Sequence, residues 1–177
     1  VAAQAFTGNV TVRTGTVNAA NGIGILGSAF GATGSTDIGG CSSVSSSSTA
    51  VISQAQGTGS VTINCGALSA TGVNSNGVFA TSNGGNILVN TTSAATSGVG
   101  GFGVTANTIG TGNVTTNAGV ITTTGAGGTG LFARTGTGTI DAGYGNITTS
   151  GIASGTSTAS ALDLASTGTI NLRGAGS

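Results

Sequence analysis

The chain has 177 residues, 36 of them glycine, with no proline, methionine, tryptophan or histidine and only 3% charged residues. Three arginines balance three aspartates, so there is no electrostatic footprint for nucleic acid or an anionic membrane surface. The chain contains no run of 18 apolar residues that would span a bilayer as a helix; no signal peptide is visible, and the chain reads as mature or excised.

Low charge with abundant Gly, Ser and Thr also fits a disordered chain, but a hydrophobic share of 37%, evenly placed, does not. The opening VAAQAFTG resembles the third strand and exit of a later coil, VISQAQGTG at 51–59. A glycine then recurs at Gly8, Gly34, Gly59, Gly85, Gly112, Gly138 and Gly168, at intervals of 26, 25, 26, 27, 26 and 30 from those numbers. Four residues beyond each, an inward column is predicted: Val12, Ile38, Ile63, Val89, Thr116, Ala142 and Leu172.

Within each unit a second short strand opens at Val17, Val44, Leu68, Ala94, Ile121 and Ile147. A third opens at Ile25, Val51, Val78, Val104, Leu131 and Leu162. Apolar and hydroxyl residues alternate within them, as in NVTV and SVTI, with Gly and Asn at the corners. Three strands in roughly 26 residues bury nothing alone, and stacked they cover one another. The predicted fold is all-β: one parallel β-helix (β-solenoid) domain over residues 1–177, three short strands per coil and about six coils. It starts and ends partway through a coil, with one longer corner at Ala153–Ala159.

GNVTTNAGVITTTG and GSVTINCGALSATG resemble the coils of autotransporter and filamentous-haemagglutinin-type passenger domains of Gram-negative bacteria, over essentially the whole chain. The resemblance implies a right-handed β-helix and a location outside the cell or on the bacterial surface.

Stacking turns positions into columns. The corner after the first strand reads Arg13, Gly39, Asn64, Asn90, Asn117, Gly143 and Arg173, so Asn64, Asn90 and Asn117 are expected to form a structural amide ladder rather than a polar binding stripe. Cys41 and Cys65 fall at one corner of adjacent coils, about 4.8 Å apart, within disulfide range. A bridge is favoured over free core thiols, and with no histidine and no spaced ligand set no metal or other cofactor is expected.

Catalysis is not expected. Asp37 and Asp141 share an outward column about 19 Å apart, Asp163 lies on another face, and no histidine can act as a base. The second strand presents outward pairs such as Ser45/Ser47, Ser69/Thr71 and Thr122/Thr124, a hydroxylated face with only one Thr-x-Thr row. On the third strand Leu26, Ile52, Phe79, Thr105, Phe132 and Asp163 form the next outward column, making Leu26, Ile52, Phe79 and Phe132 a candidate interaction stripe if Val104, and not Phe102, points inward. Four N-x-[ST] sequons, at Asn9, Asn90, Asn113 and Asn146, mostly restate the repeat.

The expectation is a secreted or surface-displayed structural solenoid, an adhesin stalk or fibre subunit. Its partners are further copies stacked head-to-tail or laterally, a longer solenoid of which it is part, or a cell-surface or matrix ligand. An ice- or polysaccharide-binding module is the alternative, and a β-helix carbohydrate-active enzyme is the weakest reading.

Overall fold

The computed structural model describes residues 1–151 and 159–174. The longer corner expected at Ala153–Ala159 lies, apart from Ala159, outside the described residues. Among the described residues every element is a strand. The chain enters on β1 (Ala2–Ala5), and the first coil follows as β2 (Val10–Arg13), β3 (Thr16–Ala19) and β4 (Ile25–Ala29). The second coil is β5 (Thr36–Ser46) and β6 (Val51–Ala55), and the third is β7 (Val61–Ala70) and β8 (Asn76–Ser82). The fourth and fifth are β9 (Ile87–Thr96) with β10 (Phe102–Thr108), and β11 (Val114–Thr123) with β12 (Thr129–Arg134). The sixth is β13 (Ile140–Tyr144), β14 (Ile147–Thr149) and β15 (Ser160–Ala165), after which β16 (Ile170–Gly174) begins another.

All pairings are parallel and link each coil to the next. One sheet has seven strands in the order β1-β4-β6-β8-β10-β12-β15; the other has nine, with β16-β13-β11-β9-β7-β5-β2 as its spine and β14 and β3 alongside. The chain is therefore a parallel β-solenoid of about six coils. Its registers match the sequence columns: Val12, Ile38, Ile63 and Val89 stand in line, as do Ile25, Val51, Val78, Val104 and Leu131.

One feature differs from three separate strands per coil. In coils two to five the first and second strands join as β5, β7, β9 and β11, and the bend between them skips one pairing position, at Gly66 opposite Thr92 and again at Gly119. Glycine there alternates with Ser42 and Thr92, and a Cβ on Gly66 or Gly119 would overlap the carbonyl oxygen of Ser42 or Thr92 one coil below.

The two inner faces close on a column of Ile, Val, Leu and Ala side chains that are essentially solvent-free. Each fully buried branched side chain contributes about 1.5–3 kcal/mol relative to exposure. The β13 column continues to Ile170 and Leu172, which are exposed on β16, the last strand described. The same close stacking explains the glycine beat. A Cβ on Gly59, Gly85, Gly112 or Gly138 would overlap the carbonyl oxygen of the glycine one coil earlier, Gly34, Gly59, Gly85 or Gly112. Those carbonyls are also used: Ser82 donates its hydroxyl to Gly59 O at 2.8 Å, Thr108 to Gly85 O at 3.0 Å and Thr135 to Gly112 O at 2.6 Å. Each coil is thus locked to its neighbour by a corner with no room for a side chain and a hydroxyl that reaches across it.

Candidate functional site

The charges come first, because isolated ones would be the natural catalytic or binding groups. All six are paired between coils. Arg13 donates to Asp37 at 2.5 Å, Arg134 meets Asp163 at 3.4 Å, and Arg173 Nε donates to Asp141 at 2.6 Å. Asp141 holds the Arg173 guanidinium above its ordinary pKa through this hydrogen bond and its charge. Asp37 and Asp141 do occupy one outward column, through Thr62, Leu88 and Thr115. Sequence reading counted these charges as a balance and missed the pairing. The signal was there: in β2–β5 and in β13–β16 the arginine stands opposite a glycine, Gly39 or Gly143, two positions past the aspartate of the neighbouring coil.

Those glycines border the amide column. Asn90 donates Nδ2–H to Asn64 Oδ1 at 2.6 Å, and Asn117 donates to Asn90 Oδ1 at 2.8 Å. Arg173 then reaches over Gly143 and donates to Asn117 Oδ1 at 3.2 Å. A Cβ on Gly143 would press on Asn117 Oδ1 at 3.0 Å and Arg173 Nη2 at 3.3 Å, so the missing side chain makes room for the bridge. At the opposite end Arg13 folds beside Gly39 onto the Asp37 backbone and carboxylate.

The ladder lies on the outside: Asn64 and Asn117 are exposed and Asn90 is half-buried. Its energetics are therefore those of solvated hydrogen bonds, and the penalty for an unpaired buried amide does not apply. Asn90→Ala breaks two links and is expected to lower stability by about 1 kcal/mol, against about half of that for Asn64→Ala, which breaks one. Urea denaturation of both variants checks this. Equal, negligible losses would mean that water replaces the ladder without cost.

A second amide series went unread in the sequence, which marked two of its members, Asn9 and Asn113, only as sequons. Asn9 Oδ1 accepts the Ser35 backbone N–H, Asn86 Oδ1 that of Asn113, and Asn113 Oδ1 that of Thr139, each at 2.8–2.9 Å and each one coil on. The Gly-Asn pair that opens the first strand at 8–9, 85–86 and 112–113 is thus a stacking device.

Cys41 and Cys65 are disulfide-bonded, in register, with Cα atoms 4.7 Å apart, and both are buried. The register shifts by one residue between Gly39 and Cys41, where Gly40 takes a φ of 72° as a β-bulge. That bulge shortens the β5–β7 step from 25 residues before it to 24 after it, which brings the two cysteines into one row.

The two outer faces carry different chemistry. The second-strand face is hydroxylated and solvated: Asn18, Ser45, Ser69, Ala95, Thr122 and Thr148 stand in one outward column, a mixed row rather than a threonine array. On the third-strand face Leu26, Ile52, Phe79, Thr105, Phe132 and Asp163 are in register, and Leu26, Ile52, Phe79 and Phe132 are half-exposed. Val104 is fully buried, so Phe102 is the outward residue.

Phe102 joins the stripe from an adjacent column, Asn76–Phe102–Thr129. Period-2 reading missed it because a buried glycine follows each of these residues, Gly77, Gly103 and Gly130, and breaks the alternation. A Cβ on Gly103 would overlap Ile121 across the core. Phe102 packs edge-on against Phe132 with centroids 5.7 Å apart, and with Phe79 and three asparagines these rings border a cleft of about 350 Å³.

No protein-family model matches the chain, and neither does any curated protein or solved structure. Among the described residues no group of three or more His, Cys, Asp or Glu side chains is placed to hold a metal, and no helix is long and apolar enough to cross a membrane.

Proposed function

We propose that the protein is a non-catalytic structural β-solenoid, secreted or displayed on a bacterial surface, that serves as an adhesin stalk or extracellular fibre subunit in the manner of autotransporter-type passengers. One observation carries this reading. The side chains that would do chemistry elsewhere are committed to holding coil against coil: every carboxylate is paired to an arginine of a neighbouring coil, and the corner amides bond along the rod. A buried disulfide between coils supports an oxidising, extracytoplasmic destination.

As a stalk or fibre the protein works through length, stiffness and its faces. Stiffness follows from two parallel sheets that both run along the axis, since bending must stretch hydrogen bonds in one of them. Association with further copies, end to end or side by side, is the partner expected of a fibre subunit. Negative-stain imaging together with light scattering of the native material tests the proposal. Straight rods that lengthen or bundle with concentration are the expected result. A stable monomer of 16.3 kDa at high concentration that also fails to coat cells or matrix would overturn it.

The alternative, a solenoid whose face binds ice or polysaccharide, divides in two. For ice, the mixed second-strand row offers only Thr122/Thr124 as a Thr-x-Thr pair, and an ice-shaping assay decides it. For polysaccharide, the observations lie on the opposite face.

A further inference from the structure

We propose that the cleft among Phe79, Phe102 and Phe132 is a binding site for a neutral saccharide, about one disaccharide of an extended glycan laid along the rod axis. This goes beyond the structural role proposed above and is independent of whether the rod assembles.

The geometry is set by the rungs. Phe79, Thr105 and Phe132 are in-register neighbours on three successive coils, so two rings stand two rungs apart, about 10 Å, on either side of a small residue. Thr105, 7% exposed, is the floor, and its hydroxyl donates to Asn76 Oδ1 at 3.0 Å. That bond turns one end of the Asn76 amide toward the floor and leaves its Nδ2 group as the donor end. Phe102 closes the side by packing edge-on against Phe132. Asn74, Thr81 and Asn107 complete the lining, so three carboxamides accompany three aromatic side chains. Asn74 is the only non-glycine residue held at positive φ, 53°, among the described residues. The same corner position is glycine in the next two coils, Gly100 and Gly127. Asparagine is the side chain that tolerates this backbone best, and here it places a carboxamide at the rim.

Three features select the ligand class. First, the lining carries no charge. Arg134 lies over the Phe132 ring, its Cζ 4.5 Å from the centroid, and its charge is taken up by Asp163, which leaves a neutral ligand as the electrostatic match. Second, the lining combines rings with carboxamides. A pyranose presents an apolar C–H face, suited to the negative face of an aromatic ring, and a rim of hydroxyls, each donor and acceptor, suited to amides that offer both. Third, the site is an open trough in line with the coil axis and, at about 350 Å³, at the small end of ligand sites. A trough of this kind takes part of a chain and lets the rest run on. Two rungs match the span of an extended disaccharide. A second copy of the rod is a poorer occupant of this place, because a flat sheet face cannot fill a concave cleft. Its natural footing on this face would be Leu26 and Ile52, lower on the stripe.

The test is a titration of the intact protein, followed by backbone and side-chain amide NMR, with a panel of cello-, chito-, xylo- and manno-oligosaccharides. We expect one or more of them to shift the Asn74, Asn76 and Asn107 side-chain amides with a millimolar to high-micromolar Kd. Phe79→Ala and Phe132→Ala are each expected to weaken binding about tenfold, and Asn107→Ala several-fold, since truncated central aromatics dominate small interfaces. All three residues are half-exposed, so unchanged far-UV circular dichroism is expected for the variants. Leu26→Ala, on the same stripe but outside the cleft, should bind like the native chain. No amide shift with any sugar at about 20 mM, an affinity below the usual weak-ligand range, would overturn the proposal. So would equal weakening by Leu26→Ala, or a concentration-dependent dimer abolished by Phe79→Ala, which would make the face a self-interface.

Discussion

Gly98→Ala is expected to destabilise the protein by at least about 3 kcal/mol, lowering its midpoint of thermal unfolding by roughly 10 °C, although it adds a single methyl group to a corner residue. The added Cβ would overlap the carbonyl of Gly72, the equivalent residue one coil below, and Gly125 stands over Gly98 in the same way one coil above. Backbone lies on both sides, so no flexible side chain can yield. The coils must separate or the corner must rebuild. Separation breaks the hydrogen-bond ladders of both sheets, because adjacent coils are joined through both.

The comparison that isolates this mechanism is Gly15→Ala. Gly15 has nothing within 4 Å of its would-be Cβ and carries no left-handed φ, so alanine there should be neutral or stabilise by up to about 1 kcal/mol through the unfolded chain. In a stack where each unit touches only its neighbours, a defect in the middle uncouples two halves. Unfolding of Gly98→Ala should therefore also lose sharpness. Thermal scans by circular dichroism of the two variants decide it: similar, small effects would mean that the glycines are there for turn conformation alone and that the stack tolerates wider spacing.

The same contrast explains what could be read in advance. The coil period, the inward columns and the corner pairing of the cysteines were legible because stacking forces like onto like roughly every 26 residues, and a one-dimensional pattern survives in a one-dimensional string. What escaped is diagonal. Arg13 meets Asp37 and Arg173 meets Asp141 across a coil and two positions along it, past a glycine that no column reading marks as a partner. Phe102 escaped for a related reason. Its outward direction depends on Gly103 giving way to Ile121 across the core, a contact between different strands of the coil rather than along a column. Whether the Asn64–Asn90–Asn117 ladder is solvated or buried depends on which way a bent strand turns, and alternation is weakest at a bend.

Replacing Cys41 and Cys65 together by alanine is expected to cost about 3 kcal/mol, the loop-closure entropy regained by the unfolded chain when a bridge across 24 residues is removed. The bridge ties the second coil to the third, beside the bulge at Gly40. Its loss should therefore be felt unevenly. Coils one and two, which hold the Arg13–Asp37 pair, would be coupled to the remainder only through hydrogen bonds and core contacts, and their amides should exchange earlier than those of the third to fifth coils. Reductant should reproduce the double variant's denaturation midpoint in the native chain and leave the variant itself unchanged. The chemical check precedes the energetic one. The denatured, unreduced protein should show no reactive thiol, because both sulfurs are committed to the bond. Two reactive thiols would remove the covalent link between the coils, and with it the strongest support for an oxidising destination. A variant as stable as the native chain, with the bond verified, would instead place the cohesion of these two coils in the hydrogen-bond ladders and the Val44–Leu68 core row on which the disulfide sits.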